Sequence, residues 1–329
     1  MRRREVITVL SFAATWPLEV HAQQSRKLPR IGYLVLTSAD SRMGRRALDA
    51  FREGLRDPGY VEGENILIEY RFAARDFERL PQLAAELVRL KVDVIVASPT
   101  PTAVAAKKAT DTIPIVMMNV GDPVGLGLIA SLGRPGGNVT GLSYSVGLET
   151  FSKGLELLKE AVPHLRRAAV LLNPANPAHT LSLRSIEAAA QRLNVQLQKL
   201  EARGPDEFDS AFAAMASARA DAVMIVPDVL SVEHSGRLGE LALMHGLPSM
   251  HGFSEEVEAG GLLSYGPNFS EPRRRAAAFV DKLLKGANAA ELPVQQPTKF
   301  EFAINLKTAR ALGLAIPSTL LARADEVIE

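Results

Sequence analysis

Between residues 92 and 143 the chain carries three short apolar runs, 92–97, 113–120 and 138–142, and their rhythm limits the possible folds more than any other stretch. Runs this short, rich in Val and Ile and separated by segments that read as one helix each, predict βαβ units and a parallel sheet. Ligands of such sheets sit beyond the carboxyl ends of the strands. Here those ends are Ser98-Pro99-Thr100 and Gly121-Asp122-Pro123, loops of small, rigid and hydrogen-bonding residues.

The same rhythm fills the rest of the chain. A first strand over 31–36 leads through Thr37 and Ser38 to a helix that stops at Asp57-Pro58-Gly59, a turn signal. A strand over 65–70 and an amphipathic helix over 77–90 follow, the latter with Leu80, Leu83, Ala84, Leu87 and Val88 on one face. After residue 144 the pattern restarts with a helix over 150–162 and strands over 168–172, 195–200, 222–226, 247–250 and 260–266. The tail adds a basic amphipathic helix over 273–284, a strand over 298–304 and a helix over 306–312 capped by Asn305 and closed by Gly313. The expected fold is α/β: two similar doubly wound lobes with parallel sheets, joined by crossing strands around a central cleft. Lobe one takes 23–144 plus about 267–297, and lobe two takes 145–266 plus about 298–329.

A chain of 329 residues has room for two lobes of about 150 residues. At 47% hydrophobic and 23% charged residues with a formal net charge of +1, it has no electrostatic bias toward nucleic acid or a membrane surface. It contains no cysteine, which excludes disulfides, thiolate metal sites and a cysteine nucleophile. Residues 1–22 read as an export signal, with Met1-Arg2-Arg3-Arg4 as the basic region, an apolar segment over 6–16 and small residues around Ala22. That segment is shorter than the ~20 residues that span a bilayer, so no stable membrane insertion is expected. Arg3-Arg4 also resembles a twin-arginine signal, with Val6 where Phe is usual, and the route stays open between the two export systems.

Catalytic readings find little support. Gly125-Leu126-Gly127-Leu128-Ile129-Ala130 fits a dinucleotide fingerprint, but Asp122-Pro123-Val124 separates the strand from the first glycine. The simpler reading is a helix that begins after Pro123 and packs its glycines on the sheet. No nucleophile elbow, zinc-protease pair or phosphate-binding loop is present. No catalytic residue, cofactor or metal is therefore assigned. The candidate ligand-binding residues are polar or rigid groups at strand ends: Thr37, Ser38, Ser98, Pro99, Thr100 and Asp122 in lobe one, and Asn173, Asn176, Asp228, His251 and Phe253 in lobe two. For each Asn and Asp the competing role is a helix cap.

Gly59-Tyr60-Val61-Glu62-Gly63, Asp122-Pro123-Val124, Arg134-Pro135-Gly136-Gly137-Asn138-Val139-Thr140-Gly141, the segment 259–266 and Leu292-Pro293-Val294-Gln295-Gln296-Pro297-Thr298-Lys299-Phe300-Glu301 resemble the ABC-transporter substrate-binding family that includes tryptophan and tyrosine binders. The resemblance covers essentially the whole chain. It implies a type I periplasmic-binding fold and an exported, periplasmic receptor that closes on a small solute and delivers it to a membrane permease. Where relatives often carry Arg-Glu, this chain has Ser254-Glu255. The solute class stays open between an amino acid, aromatic ones included, and a small organic acid. A ligand-sensing regulator domain would need a DNA-binding segment where the export signal stands, and an α/β enzyme would need a catalytic set.

Overall fold

A computed structural model describes residues 28–144, 149–267 and 271–329. The export segment read at 1–22 lies outside these residues, as do 145–148 and 268–270, which follow the expected lobe boundaries after 144 and 266. The first lobe runs β1 (Arg30–Val35), α1 (Arg42–Arg56), β2 (Leu67–Phe72), α2 (Leu80–Arg89), β3 (Val94–Ser98), α3 (Thr100–Ala109), β4 (Ile115–Val120) and β5 (Val139–Ser143). Its five strands are all parallel, in the order β2-β1-β3-β4-β5. β3 and β4 are buried along their whole length. Helices cover both faces of the sheet, so these strands read as unbroken apolar runs rather than alternating ones.

The second lobe continues with α4 (Glu149–Ala161), β6 (Arg167–Leu172), α5 (Pro177–Leu193), β7 (Gln196–Glu201), α6 (Phe208–Ser217), β8 (Ala222–Ile225), α7 (Val229–Glu233), α8 (Ser235–Met244), β9 (Ser249–His251), α9 (Ser254–Glu258) and β10 (Leu263–Pro267). The chain ends with α10 (Glu271–Leu284), β11 (Phe300–Asn305), α11 (Leu306–Ala311), α12 (Ser318–Leu321) and β12 (Glu326–Ile328). The second sheet has the order β12-β11-β10-β9-β8-β6-β7. Its β7-β6-β8-β9-β10 portion repeats the first lobe's order, and β11 extends it antiparallel to β10. That pairing departs from the all-parallel expectation, because β11 enters from the opposite lobe rather than through a crossover helix.

Late segments serve both sheets. Ala276, Ala277, Phe279, Val280 and Leu283 of α10 are buried against α1 and the first sheet, in one cluster with Tyr33, Phe51 and Val96. The chain then runs beside the end of β5, where Ser143 N donates to Gln295 O (3.0 Å) and Gln295 N to Gly141 O (2.9 Å), before entering the second sheet as β11. Two crossing segments thus lie side by side at the waist. Gly141 is required there: at φ +124 a Cβ would stand 2.3 Å from Met117 O. Asn138, three residues earlier, donates to Thr110 O and Ile113 O, both at 2.9 Å, so the Gly-Gly-Asn-Val-Thr-Gly run serves strand docking.

One expected helix is missing. Residues 121–138 form successive turns, with Gly127 at φ +68 and Gly136 at φ +77. Glycine and proline cost about 1 and 3 kcal/mol in a helix interior, and this stretch concentrates both. Leu128 and Ile129 still bury in the lobe-one core with Ile115 and Val139. The glycines of the dinucleotide-like run therefore shape turns and open no helix. Four further elements went unread in the sequence: α7, α9, α12 and β12, each five residues or fewer. Elements that short carry less than two helical turns of pattern.

Candidate functional site

Both lobes adopt the strand order in which a crevice opens at the carboxyl ends beside the first strand. Those ends face each other across a narrow cleft that opens to solvent. Lobe one supplies Tyr33, Thr37, Ser98, Pro99, Thr100 and Asn119, and lobe two supplies Asn176, Pro227, Asp228, Val229 and Phe253, with Tyr144 at the crossing between them. The lobes are close together. Val229 of lobe two is 5% exposed and packs into the lobe-one core cluster.

Of the residues expected at the site, Thr37, Ser98, Pro99, Thr100, Asn176, Asp228 and Phe253 line this cleft, whereas Ser38, Asp122, Asn173 and His251 do not. Ser38 turns into the α1 cap, its carbonyl accepting from Ser41 N and Oγ. Asp122, at φ +40, folds back to accept from Gly125 N at 2.9 Å. Asn173 stands behind the wall: its Nδ2 donates to Asp228 Oδ2 at 2.9 Å and its Oδ1 accepts from Ala175 N. His251 is buried in lobe two, with Nε2 3.0 Å from Ser249 Oγ and Nδ1 3.7 Å from Glu256 Oε1.

Asp228 is both a cap and a wall residue. Its Oδ1 accepts from Ser231 N and its own N donates to Ser231 Oγ, each at 3.0 Å, closing the first turn of α7. With Oδ2 held by Asn173, the carboxylate is fixed in orientation at the cleft. Behind it His179 bridges two strand ends, its Nδ1 accepting from Asn173 N at 2.9 Å and its Nε2 facing Pro227 O at 3.4 Å. Burial pushes this imidazole below the usual histidine range, and the Asp228 charge opposes the shift. The bond from Asn173 identifies the neutral form with its proton on Nε2.

Asn119 and Tyr144 are among the wall residues that escaped the sequence reading. Asn119 sits at φ +52 where the β4–β5 register shifts, a conformation that Asn tolerates better than most residues. The irregularity takes its amide out of the strand ladder and onto the cleft wall, 6% exposed and with Nδ2 unpartnered among the described residues. A lone polar residue inside Val-Met-Met-Asn-Val was the available signal. Tyr144 lies against Gly121, where a Cβ would stand 2.9 Å from its hydroxyl, and that hydroxyl is hydrogen-bonded to Ser182 of α5. Burial, then the Asp228 carboxylate, push its phenol above the usual tyrosine range.

Asp228 carries the only formal charge among the described residues lining the cleft. The rest of the wall combines apolar and aromatic surface with hydroxyls and amides. The Asp228 carboxylate is half-buried and held by Asn173 and Ser231, and the Asn119 amide is unpartnered among the described residues. No group of His, Asp or Glu that could hold a metal ion occurs among the described residues.

Residues 30–328 match the family model described as ABC transporter substrate binding protein. The chain is similar to a tyrosine-binding protein of Clostridioides difficile, 29% identical over 269 residues, 82% of this chain and 77% of that one. Among solved structures, a conserved domain protein from Vibrio cholerae is 28% identical with a TM-score of 0.84, covering 92% of this chain and 100% of the other. A Streptococcus pneumonia domain in complex with L-Trp gives a TM-score of 0.83 at 24% identity, with the same coverage of both chains. A ligand-free, open substrate binding protein from Clostridium difficile gives 0.65 at 25% identity, over 92% of this chain and 99% of that one. At nearly equal identity, the present structure is nearer in shape to the L-Trp complex than to the open one.

Proposed function

The chain belongs to the ABC transporter substrate-binding protein family, and from that premise we propose that it is an exported receptor that captures an amino acid between its lobes and presents it to a membrane permease. The observation that carries the amino-acid reading is the charge layout of the cleft: one oriented carboxylate, Asp228, faces hydroxyls and the Asn119 amide of the other lobe, with no basic side chain on the described wall. A zwitterion fits, its ammonium on Asp228 and its carboxylate on the Ser98, Thr100 and Asn119 side. An organic acid without an amine would bring its charge to a site that already holds a negative one. Charge-assisted hydrogen bonds contribute roughly twice what neutral ones do, so the ammonium anchors the ligand.

Tyr33, Tyr144 and Phe253 on the wall favour an aromatic or large apolar side chain. Two similar proteins point the same way, one named for tyrosine and one in complex with L-Trp. An enzymatic role gains nothing from Ser249, His251 and Glu256, although they lie in a nucleophile-base-acid order. All three are at most 2% exposed, Ser249 Oγ accepts from Leu262 N, and Glu256 Oε2 accepts from Gly252 N and Phe253 N. That set holds the Phe253 loop in place.

Binding tests the reading directly. Trp16, the single tryptophan, lies in the export segment, so the mature chain beginning near Gln23 has no tryptophan and the emission of bound L-tryptophan reports alone. L-Tyrosine or L-tryptophan should raise the melting temperature, by an amount equivalent to about 2.7 kcal/mol at a hundredfold excess over Kd. The matching arylpropionic acids, which lack only the amine, should leave it unchanged. Equal binding of acid and amino acid would overturn the assignment.

A further inference from the structure

Outside the cleft, one charged cluster joins the lobes. Arg75 of lobe one follows β2, and its Nη1 lies 3.2 Å from Glu233 Oε2 and 2.6 Å from His234 Nε2, both in lobe two at the end of α7. Arg75 and the preceding Ala74 both take positive φ, +67 and +52, although neither is glycine. Its backbone N donates to Leu36 O at 2.7 Å, so the turn is anchored to the end of β1. Two successive left-handed residues are an unfavourable way to end a strand, and they aim one guanidinium across the gap. On the other side Glu233 is 12% exposed and its second oxygen, Oε1, has no partner among the described residues.

We infer that Arg75 is a positioning residue for solute capture: by bridging lobe one to Glu233 and His234 it sets how much of the empty receptor is closed, and so tunes affinity without touching the solute. The inference rests on the receptor reading. Apparent affinity scales with the populated fraction of the competent state, so a contact made only in the closed form enters Kd as a factor. Arg75 is 43% exposed, so the contribution is that of a partly screened pair. Removing it should weaken binding by roughly 2- to 5-fold, not abolish it.

The His234 bond adds a pH dependence. Arg75 has only donors, so the facing Nε2 must be unprotonated. The charged groups at the ring are Arg75 and Glu233; Phe208 of α6 meets it edge-on at 5.9 Å, and the nearby Arg203 pairs with Glu201. Burial and Arg75 hold the imidazole below the usual histidine range. Once it protonates, two cations face each other at the closing contact. Acid therefore opens the receptor.

A conformational readout keeps this separable from the identity of the solute. The chain has no cysteine, so Glu64→Cys in lobe one and Ser217→Cys in lobe two, both exposed, accept a spin-label pair without background. In the empty protein Arg75→Ala should shift the distance distribution toward the open form at low salt, and Arg75→Lys should restore part of the closed population. Lowering pH from 7.5 to 5 should open the parent but not His234→Gln, which keeps an acceptor and loses the titration. With L-tyrosine as probe, Arg75→Ala should raise Kd about 2- to 5-fold. Distance distributions of Arg75→Ala that match the parent at every salt and pH overturn the inference. Failure of L-tyrosine to bind any form would count against the receptor reading and leave the label result standing.

Discussion

Replacing Asp228 by Asn separates the two jobs of that carboxylate. As a cap, Asn is nearly equivalent to Asp, so the first turn of α7 should persist through Ser231 N. The amide carries one oxygen, however, and the carboxylate accepts from two donors, Ser231 N and Asn173 Nδ2. Asn173 cannot turn its own oxygen to compensate without releasing Ala175 N. One hydrogen bond to a charged acceptor is lost, worth about 1.5–3 kcal/mol, and the melting temperature of the empty protein should fall by roughly 2–5 °C. Binding should suffer far more. An ammonium enclosed opposite a neutral amide loses about 2–5 kcal/mol, so Kd for L-tyrosine should rise from roughly 30-fold to several thousandfold. Titration calorimetry of both proteins at pH 7 measures the ratio. Affinities within threefold of each other would show that Asp228 caps α7 and nothing more, and the zwitterion reading would fall with it.

Asn119→Gly removes the amide while keeping a residue at ease with φ +52, so stability should hold within about 0.5 kcal/mol by denaturant titration while Kd for L-tyrosine rises about 10-fold or more. His179 is held neutral in the fold and titrates near 6.5 when unfolded, so the unfolded chain takes up more protons below that pH and stability falls with acid, by up to about 1.4 kcal/mol per pH unit. His179→Asn should reduce that slope between pH 6.5 and 5; an unchanged slope would assign the acid sensitivity elsewhere.

The sheets were legible because buried parallel strands leave a dense apolar signature, as at β3, β4 and β8, and strand ends follow it closely. The cleft was legible for the same reason: Ser98, Thr100 and Asp228 each terminate such a run. What stayed hidden depends on geometry that spacing does not encode. Asn119 reaches the wall only because β4 shifts register beneath it, and Tyr144 only because Gly121 leaves room for its ring. Asp122 looked equivalent to Asp228, yet a left-handed backbone turns it onto Gly125. The helix expected after Pro123 failed because the stretch is dense in glycine and proline, although Leu128 and Ile129 still bury in the core.

α7 joins these observations. It has five residues, about 7 Å of helix, with Asp228 capping its start and Glu233 and His234 at its end. Its first residue, Val229, inserts into the lobe-one core. A segment so short moves as one body, so the ammonium partner, the apolar plug and the Arg75 bridge reach lobe one together or not at all. Coupling of that kind is reciprocal: whatever factor the bridge contributes to solute affinity, bound solute contributes to the bridge. The effects of Asp228→Asn and Arg75→Ala on L-tyrosine binding should then be less than additive, because a receptor that no longer closes on its solute gains little from a contact made only on closure. Full additivity would mean that the two ends of α7 respond independently, and that closure is set by the hinge strands at Gly141 and Gln295.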